Sequence, residues 1–525
     1  MSDPALSDDV QKRAARESTS ASKKRRWIFT LVGITCAIAV VLVGSYALYG
    51  YLVRPSHSSL FRAAACPFTP GEGIAVGKEL TCGFLTVPED RSKANGDTIQ
   101  LAVAIFKPAA TVSADPMVYL SGGPGGSLLS SWGPNVSVST LQQITQGHTL
   151  IMFDQRGTGY SQPALGCNEL TQFNRDVQGK ILGRADWREQ YVAAGKKCHD
   201  RLISAGIDLQ AYTTIASAHD VHDLIDALGY QKVNLYGVSY GTRLALTVMR
   251  LFPSDIRSVI LDSTLPTQTN LFTTYPAVEQ RGYDTLFKGC VANPKCHSAY
   301  PQLESVFYRL INDLNARPVI FQDKQYGSVA LDGQRLADWV LSMLYVTEWL
   351  PLLPKAIMQI SQGHDDIISR LYGFLMLQSN ISYGVYYSVE CGEDLAFTTE
   401  QDLLKATVGL RPELRPHMQT DLQAAFSVCQ LWGQQAVPNE QKQPVTSSLP
   451  TLILAGEYDP ITPTSNAELA LQTLSRGNLF QFPATGHGVF GTHACPDSIV
   501  AAFLQHPTTR PDGLCISGMS APNFL

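Results

Sequence analysis

From residue 83 onward, short apolar runs alternate with turn-forming residues, and the period of the pattern switches between two and about 3.6. Gly83 to Val87, Ile99 to Phe106, Met117 to Leu120 and Thr149 to Phe153 read as strands. Ala216 to Leu228 has a helical period and leads into the strand Val233 to Tyr236, a helix after Ser239 and a buried strand, Ser258 to Leu261. Strands alternating with helices predict a largely parallel sheet between helical layers, an α/β fold. After about residue 267 strand-like runs become scarce, and helical segments such as Gly333 to Tyr345 and Asp365 to Leu377 dominate to about residue 445. Strands return at Pro450 to Ala455 and Leu479 to Phe482, before a last helix over Ser498 to Gln505. The pattern therefore describes one discontinuous sheet domain, 66–267 with 446–525, interrupted by a mostly helical cap, 268–445.

The N-terminus follows another rule. Residues 1–26 are polar and aperiodic and read as a flexible tail. Trp27 to Val53 contains no charged residue and exceeds the roughly 20 apolar residues that cross a bilayer. Seven Lys/Arg precede it, from Lys12 to Arg26, whereas only Arg54 and Arg62 follow closely, which keeps the N-terminus cytoplasmic and exports the rest. The expectation is a single-pass membrane protein: a cytoplasmic tail (1–26), a transmembrane anchor (27–53), a short linker (54–65), and the folded remainder on the periplasmic or extracellular side. The rival is a cleaved signal peptide ending near Ser45-Tyr46-Ala47, against which the length of the apolar run argues.

Composition adds two points. Of eleven cysteines, Cys36 lies in the apolar run and the other ten lie beyond it, an even number that suits full pairing in an oxidising compartment. Neighbour-to-neighbour pairing closes the shortest loops: 66–82, 167–198, 290–296, 391–429 and 495–515. No Cys/His spacing resembles a zinc site, so no metal is expected. The net charge is −5, and the basic tail leaves −8 for the remainder, which argues against a nucleic-acid partner.

The chemistry gathers at strand ends. Gly237-Val238-Ser239-Tyr240-Gly241 follows the strand VNLY and opens a helix, the context in which a sharp turn exposes a nucleophilic serine. A serine hydroxyl needs a base, and the base needs an acid to orient it. Asp459, just past the strand PTLILA, and His487, just past LFQF, fit these roles in the order Ser, Asp, His. Glu457 is the rival acid, and His493 and His506 are the rival bases. The oxyanion of acyl transfer needs backbone donors, expected from Tyr240 and from the loop Ser121-Gly122-Gly123-Pro124-Gly125-Gly126, with Gly123 first and Gly122 second. Asp154 and Arg156 in FDQRGTGYS are expected to brace that loop. His219 and His222 in HDVHD read as charged positions on an exposed helix face rather than metal ligands.

GGPGG, DQRGTGYS, GVSYGT, the Asp459 turn and the Gly-His-Gly around His487 together resemble the proline iminopeptidase and tripeptidyl aminopeptidase family of serine peptidases, over nearly the whole exported part. The stretch Cys495 to Cys515 resembles the tripeptidyl aminopeptidase type of ending. The resemblance implies an α/β-hydrolase fold with an inserted cap, no cofactor, and release of residues from free peptide N-termini. Two positions depart from the family pattern: Ser121 replaces a frequent histidine, and Thr242 replaces a glycine. A substrate ammonium needs acidic partners, and Glu390, Glu393 and Asp394 in the cap are the candidates, with a solvated acidic turn as the alternative. The same triad would serve a carboxylesterase or lipase-like enzyme on small esters, and a catalytically inactive, membrane-tethered binding protein is the third reading.

Overall fold

The computed structural model describes residues 60–93, 96–108, 115–145, 147–323, 325–364 and 381–524. The apolar run 27–53 and the helix expected over 365–377 lie outside them. No helix among the described residues is long and apolar enough to cross a membrane.

Eleven strands occur among the described residues: β1 (Phe61–Ala63), β2 (Leu80–Pro88), β3 (Thr98–Phe106), β4 (Met117–Leu120), β5 (Leu150–Phe153), β6 (Val233–Val238), β7 (Ile256–Asp262), β8 (Val319–Asp323), β9 (Gly327–Leu331), β10 (Thr451–Gly456) and β11 (Gly477–Phe482). Nine form one sheet in the order β1-β2-β3-β5-β4-β6-β7-β10-β11. The pairings from β5 through β4, β6, β7 and β10 to β11 are parallel, and those from β1 to β3 and onto β5 are antiparallel. The β-period places alternate residues on opposite faces. Val118 and Leu120 pack with Val221 and Leu224 of the helix Thr214–Ala227 and Leu244 and Val248 of the helix Tyr240–Leu251. Met117 and Tyr119 lie on the other face with Phe503 and Leu504 of the helix Ala494–Gln505. Both faces are covered, which is why the central strands are mostly apolar, with Asn234, Ser258 and Asp262 as buried polar exceptions.

Two expectations need correction. The linker over 54–65 is not all linker: Phe61–Ala63 adds an antiparallel edge strand to β2, too short to show a period in the sequence. The cap is mostly helical among the described residues, with one antiparallel hairpin, β8–β9. Segment 165–211, placed with the sheet domain by sequence pattern, packs on the cap instead: Leu165, Leu170 and Leu202 share a core with Val385, Val428 and Trp432. All ten cysteines beyond the apolar run are paired, in the neighbour-to-neighbour order.

Candidate active site

β6 delivers Ser239 at φ 58°, ψ −127°, in a region that non-glycine residues rarely occupy, at the N-cap of the helix Tyr240–Leu251. The turn is that tight only because its neighbours have no side chains. A Cβ on Gly237 would stand 2.4 Å from the Gly241 carbonyl oxygen, and one on Gly241 would stand 2.0 Å from that of Leu120. Thr242, a departure from the family pattern, fastens the turn: its Oγ1 donates to Ser239 O at 2.6 Å and accepts from Leu265 N–H at 2.7 Å.

The loop after β4 lies against the serine. A Cβ on Gly122 would come within 2.9 Å of Ser239 Cβ, so only glycine fits there. Gly123, at φ +119°, lines the same cavity as Ser239. Asp154 braces this loop from below, its Oδ1 accepting from Leu128 N–H at 2.8 Å and Leu129 N–H at 2.9 Å. Gln155 Nε2 donates to Ser121 O at 2.9 Å. Arg156 does not take part: it turns away to a buried two-point contact with Asp220, 2.7 Å on each side. Asp220 is accordingly fully buried, so the HDVHD helix is not simply a solvated face. His222 Nδ1 lies 2.6 Å from Asp255 and its ring stacks on Phe252.

Asp459 and His487 meet at the ends of β10 and β11, with Asp459 Oδ2 2.9 Å from His487 Nδ1. Asp459 is fully buried; its Oδ1 accepts from the Ile461 and Thr462 amides at 3.0 and 2.8 Å. Burial alone would raise its pKa, but His487 and the Thr462 bonds outweigh burial and hold it below the usual carboxylate range. For His487, burial lowers the pKa, yet Asp459, with a smaller contribution from Asp262, pulls it above the ordinary value. Glu457 accepts from Ala484 N–H, away from the histidine. His493 and His506 are exposed at the two ends of the last helix.

Two further groups escaped the sequence reading. Thr462 Oγ1 donates to Asp459 Oδ2 at 2.6 Å and stands 3.2 Å from His487 Nδ1. Its signal is local, a hydroxyl three residues after an acid in a turn. Asp262, the buried acid that ends β7, accepts from two amides of the His487 loop. An acid closing an apolar strand at its carboxyl end was the available clue.

Ser239, Gly123, Tyr345 and Thr462 open into a cavity of about 510 Å³. Its walls are aromatic, including Trp187, Tyr191, Phe272, Tyr275 and Tyr386, and it also reaches Asp338 and Asp421. These two acids flank His417, whose Nε2 lies 3.0 Å from Asp338 and 3.2 Å from Asp421. Asp421 Oδ1 and His417 Nδ1 are enclosed without a hydrogen-bond partner. Burial pushes Asp421 up to about 7, with His417 opposing and Asp338 adding to the shift. A larger groove, about 600 Å³ beside the Cys290–Cys296 disulfide, contains none of these groups.

Glu390, Glu393 and Asp394 are not part of that lining. Asp394 is taken by Arg243, Lys442 and the Leu271 amide, and Glu393 by the amide and hydroxyl of Thr214. Glu390 is fully buried without a partner, and burial pushes it up to about 8. The expected amine site is thus a sealed charge cluster. The helix Tyr383–Glu393 lines the cavity with Tyr383, Tyr386 and Tyr387, while Glu393 turns to Thr214 and Asp394, just past its end, turns to Arg243 of the nucleophile helix.

Among known proteins, a family model described as the α/β-hydrolase fold matches residues 115–318, and one described as TAP-like protein matches residues 415–515. The serine protease Hip1 of Mycobacterium tuberculosis is 25% identical over 521 residues, covering 91% of this chain and 95% of that protein. The tripeptidyl aminopeptidase of Streptomyces coelicolor is 34% identical over 191 residues, 35% of each chain. A Mycobacterium tuberculosis protein named carboxylesterase B is 24% identical over 464 residues, covering 82% of this chain and 85% of that protein.

Proposed function

We propose, for a chain that belongs to the α/β-hydrolase serine peptidases, that it is an aminopeptidase of the tripeptidyl aminopeptidase or proline iminopeptidase type, cleaving peptides from a free N-terminus. The observation that carries this reading is the pair Asp338 and Asp421, which line the same cavity as Ser239 and have one histidine, His417, between two carboxylates. An ammonium supplies the second counter-charge, whereas an uncharged ester does not.

In this mechanism the Ser239 hydroxyl attacks the scissile carbonyl while its proton passes to His487, which Asp459 holds in the required tautomer. The Tyr240 and Gly123 amides receive the oxyanion. Collapse expels the shortened peptide's amine, which takes the proton from His487. Water, deprotonated by His487, then attacks the acyl-enzyme, and the N-terminal fragment leaves as a carboxylate with Ser239 restored. No metal or organic cofactor takes part.

Hydrolysis of short peptide anilides with a free amine is compared with the acetylated forms and with nitrophenyl esters, for wild type and Ser239→Ala. Turnover of free-amine peptides alone, lost in Ser239→Ala, is the expected result. Equal turnover of both peptide forms with fast ester cleavage moves the assignment to a carboxylesterase, the reading favoured by the aromatic walls.

The same proposal places the catalytic domain outside the cytoplasm, tethered by residues 27–53. Five disulfides support an oxidising compartment. The protein is expected to stay with membranes through an alkaline wash; release of a chain beginning after Ala47 would show a cleaved signal instead.

A further inference from the structure

Ser239 and His487 are carried by different loops, and a shift of about 1 Å between reacting groups can cost roughly a hundredfold in rate. What fixes one loop on the other is therefore part of the chemistry. β7 lies between β6, which ends in the serine turn, and β10, which ends in the Asp459 turn, and its last residue, Asp262, touches both sides. The Asp262 carbonyl accepts from Ser239 N–H at 3.0 Å. Its carboxylate is fully buried and accepts three bonds: Oδ1 from Val489 N–H at 2.8 Å, and Oδ2 from Phe490 N–H and the Tyr236 hydroxyl at 2.9 Å each. The next residue, Ser263, held at φ 56°, accepts from Gly488 N–H through its Oγ at 2.9 Å. Three consecutive amides after His487 are thus caught by two consecutive residues, one of which also holds the nucleophile's own amide.

We infer that Asp262 and Ser263 form a positioning clamp that sets His487 against Ser239, acting through the backbone of the histidine loop and not on substrate. Asp262 has a second effect, because its charge lies near the imidazole and favours the imidazolium that forms during acyl transfer. The charged and titratable groups facing His487 are then Asp459 on one side and Asp262 on the other, with the Tyr345 ring, 4.8 Å away between centroids, against its face. The clamp rests on the serine-hydrolase reading and is independent of the amine site.

The test is the rate of inactivation by a fluorophosphonate, which requires Ser239 and its base but no free amine, measured across pH on the full chain. Asp262→Asn keeps the volume but removes the charge and points an amide group at N–H donors. Its saturating rate is expected to fall about 10- to 100-fold, with the half-saturating concentration changed less than about twofold. The acidic limb of the profile should move to lower pH, because His487 loses a negative neighbour and is deprotonated more easily. Ser263→Ala, which leaves the charge in place, is expected to slow inactivation without moving that limb. A folded Asp262→Asn with wild-type rate and pH profile overturns the clamp. If that variant does not fold, wild-type rates in both Ser263→Ala and Tyr236→Phe overturn it equally. Wild type that does not react at all would instead undo the serine-hydrolase reading beneath it.

Discussion

The cap contains two acidic groups, one contiguous in sequence and one assembled from distant helices, that are opposites in the folded chain. Glu390 and Glu393, on the helix whose tyrosines form one cavity wall, and Asp394 at its end do not line the cavity, and Arg243 and Lys442 are drawn in beside them. Asp338 and Asp421 reach the cavity itself and share a single histidine between two carboxylates. Each group has one carboxylate more than it has cations, but only the second lines the cavity. Access and burial, rather than the number of acids, separate a structural cluster from a place where a substrate cation can sit.

The largest effect expected from that contrast is on stability. Asp394→Ala strands Arg243 and Lys442 without their carboxylate, which should cost about 3–5 kcal/mol in denaturant unfolding. The folded fraction should keep an unchanged KM for free-amine peptides. Unchanged stability with a strongly raised KM would return the amine site to the 390–394 group and reverse the comparison. Asp421→Asn is expected to do the opposite. Loss of one charged hydrogen bond, about 1.5–3 kcal/mol, should raise KM for free-amine peptides about tenfold to a hundredfold, leaving acetylated peptides and thermal stability nearly untouched. A uniform fall in kcat on all substrates would show that Asp421 supports the fold of the site instead.

Glu390→Gln sharpens the structural side. Its carboxyl is pushed up to about 8 from 4.5, so between those values the unfolded chain has released a proton that the native chain keeps, and stability falls as pH rises. The neutral isostere removes that penalty. A gain of about 1–3 kcal/mol at pH 8, shrinking toward pH 5, is expected from unfolding curves. A loss of stability at pH 8 would mean that Glu390 is ionised and needed as a counter-charge to Arg243.

The strand ends that carry Ser239, Asp459 and His487 were legible because each lies beside a run whose period is set by local burial. The five disulfides were legible because each closes the shortest loop available to it. The edge strand Phe61–Ala63 was not, since three residues pairing with β2 leave no pattern. The burial of Asp220 was hidden because its partner, Arg156, lies 64 positions away in sequence. For the same reason Glu390, Glu393 and Asp394 stood out as amine-binding candidates while Asp338 and Asp421 did not. Asp338 and Asp421 are brought together only when the helices Gly333–Leu344 and Arg415–Trp432 pack around His417, whereas Glu390, Glu393 and Asp394 stand together in the sequence and attract notice by that alone.

The smallest effect separates the two groups without a mutation. Asp421 titrates near 7, its carboxyl raised first by burial, while His417, against the lowering effect of burial, is pushed up to about 10 by Asp421, Asp338 and Glu279 and stays charged. Below pH 6 the pocket is short of a carboxylate, and above 7 the carboxylate is restored while most peptide amines remain protonated. Affinity for a free amine should therefore rise with pH. His487, which burial lowers but Asp459 holds above its ordinary value, adds its own pH trend to kcat/KM for any single substrate, but it acts equally on free and acetylated peptides. The ratio of the two should rise about fivefold between pH 5.5 and 7.5, and Asp421→Asn should flatten it. If the ratio is flat in wild type as well, Asp421 is not the group that meets the amine. If it still climbs in Asp421→Asn, the titrating carboxyl is Glu279, which burial pushes up to about 7 beside the same histidine.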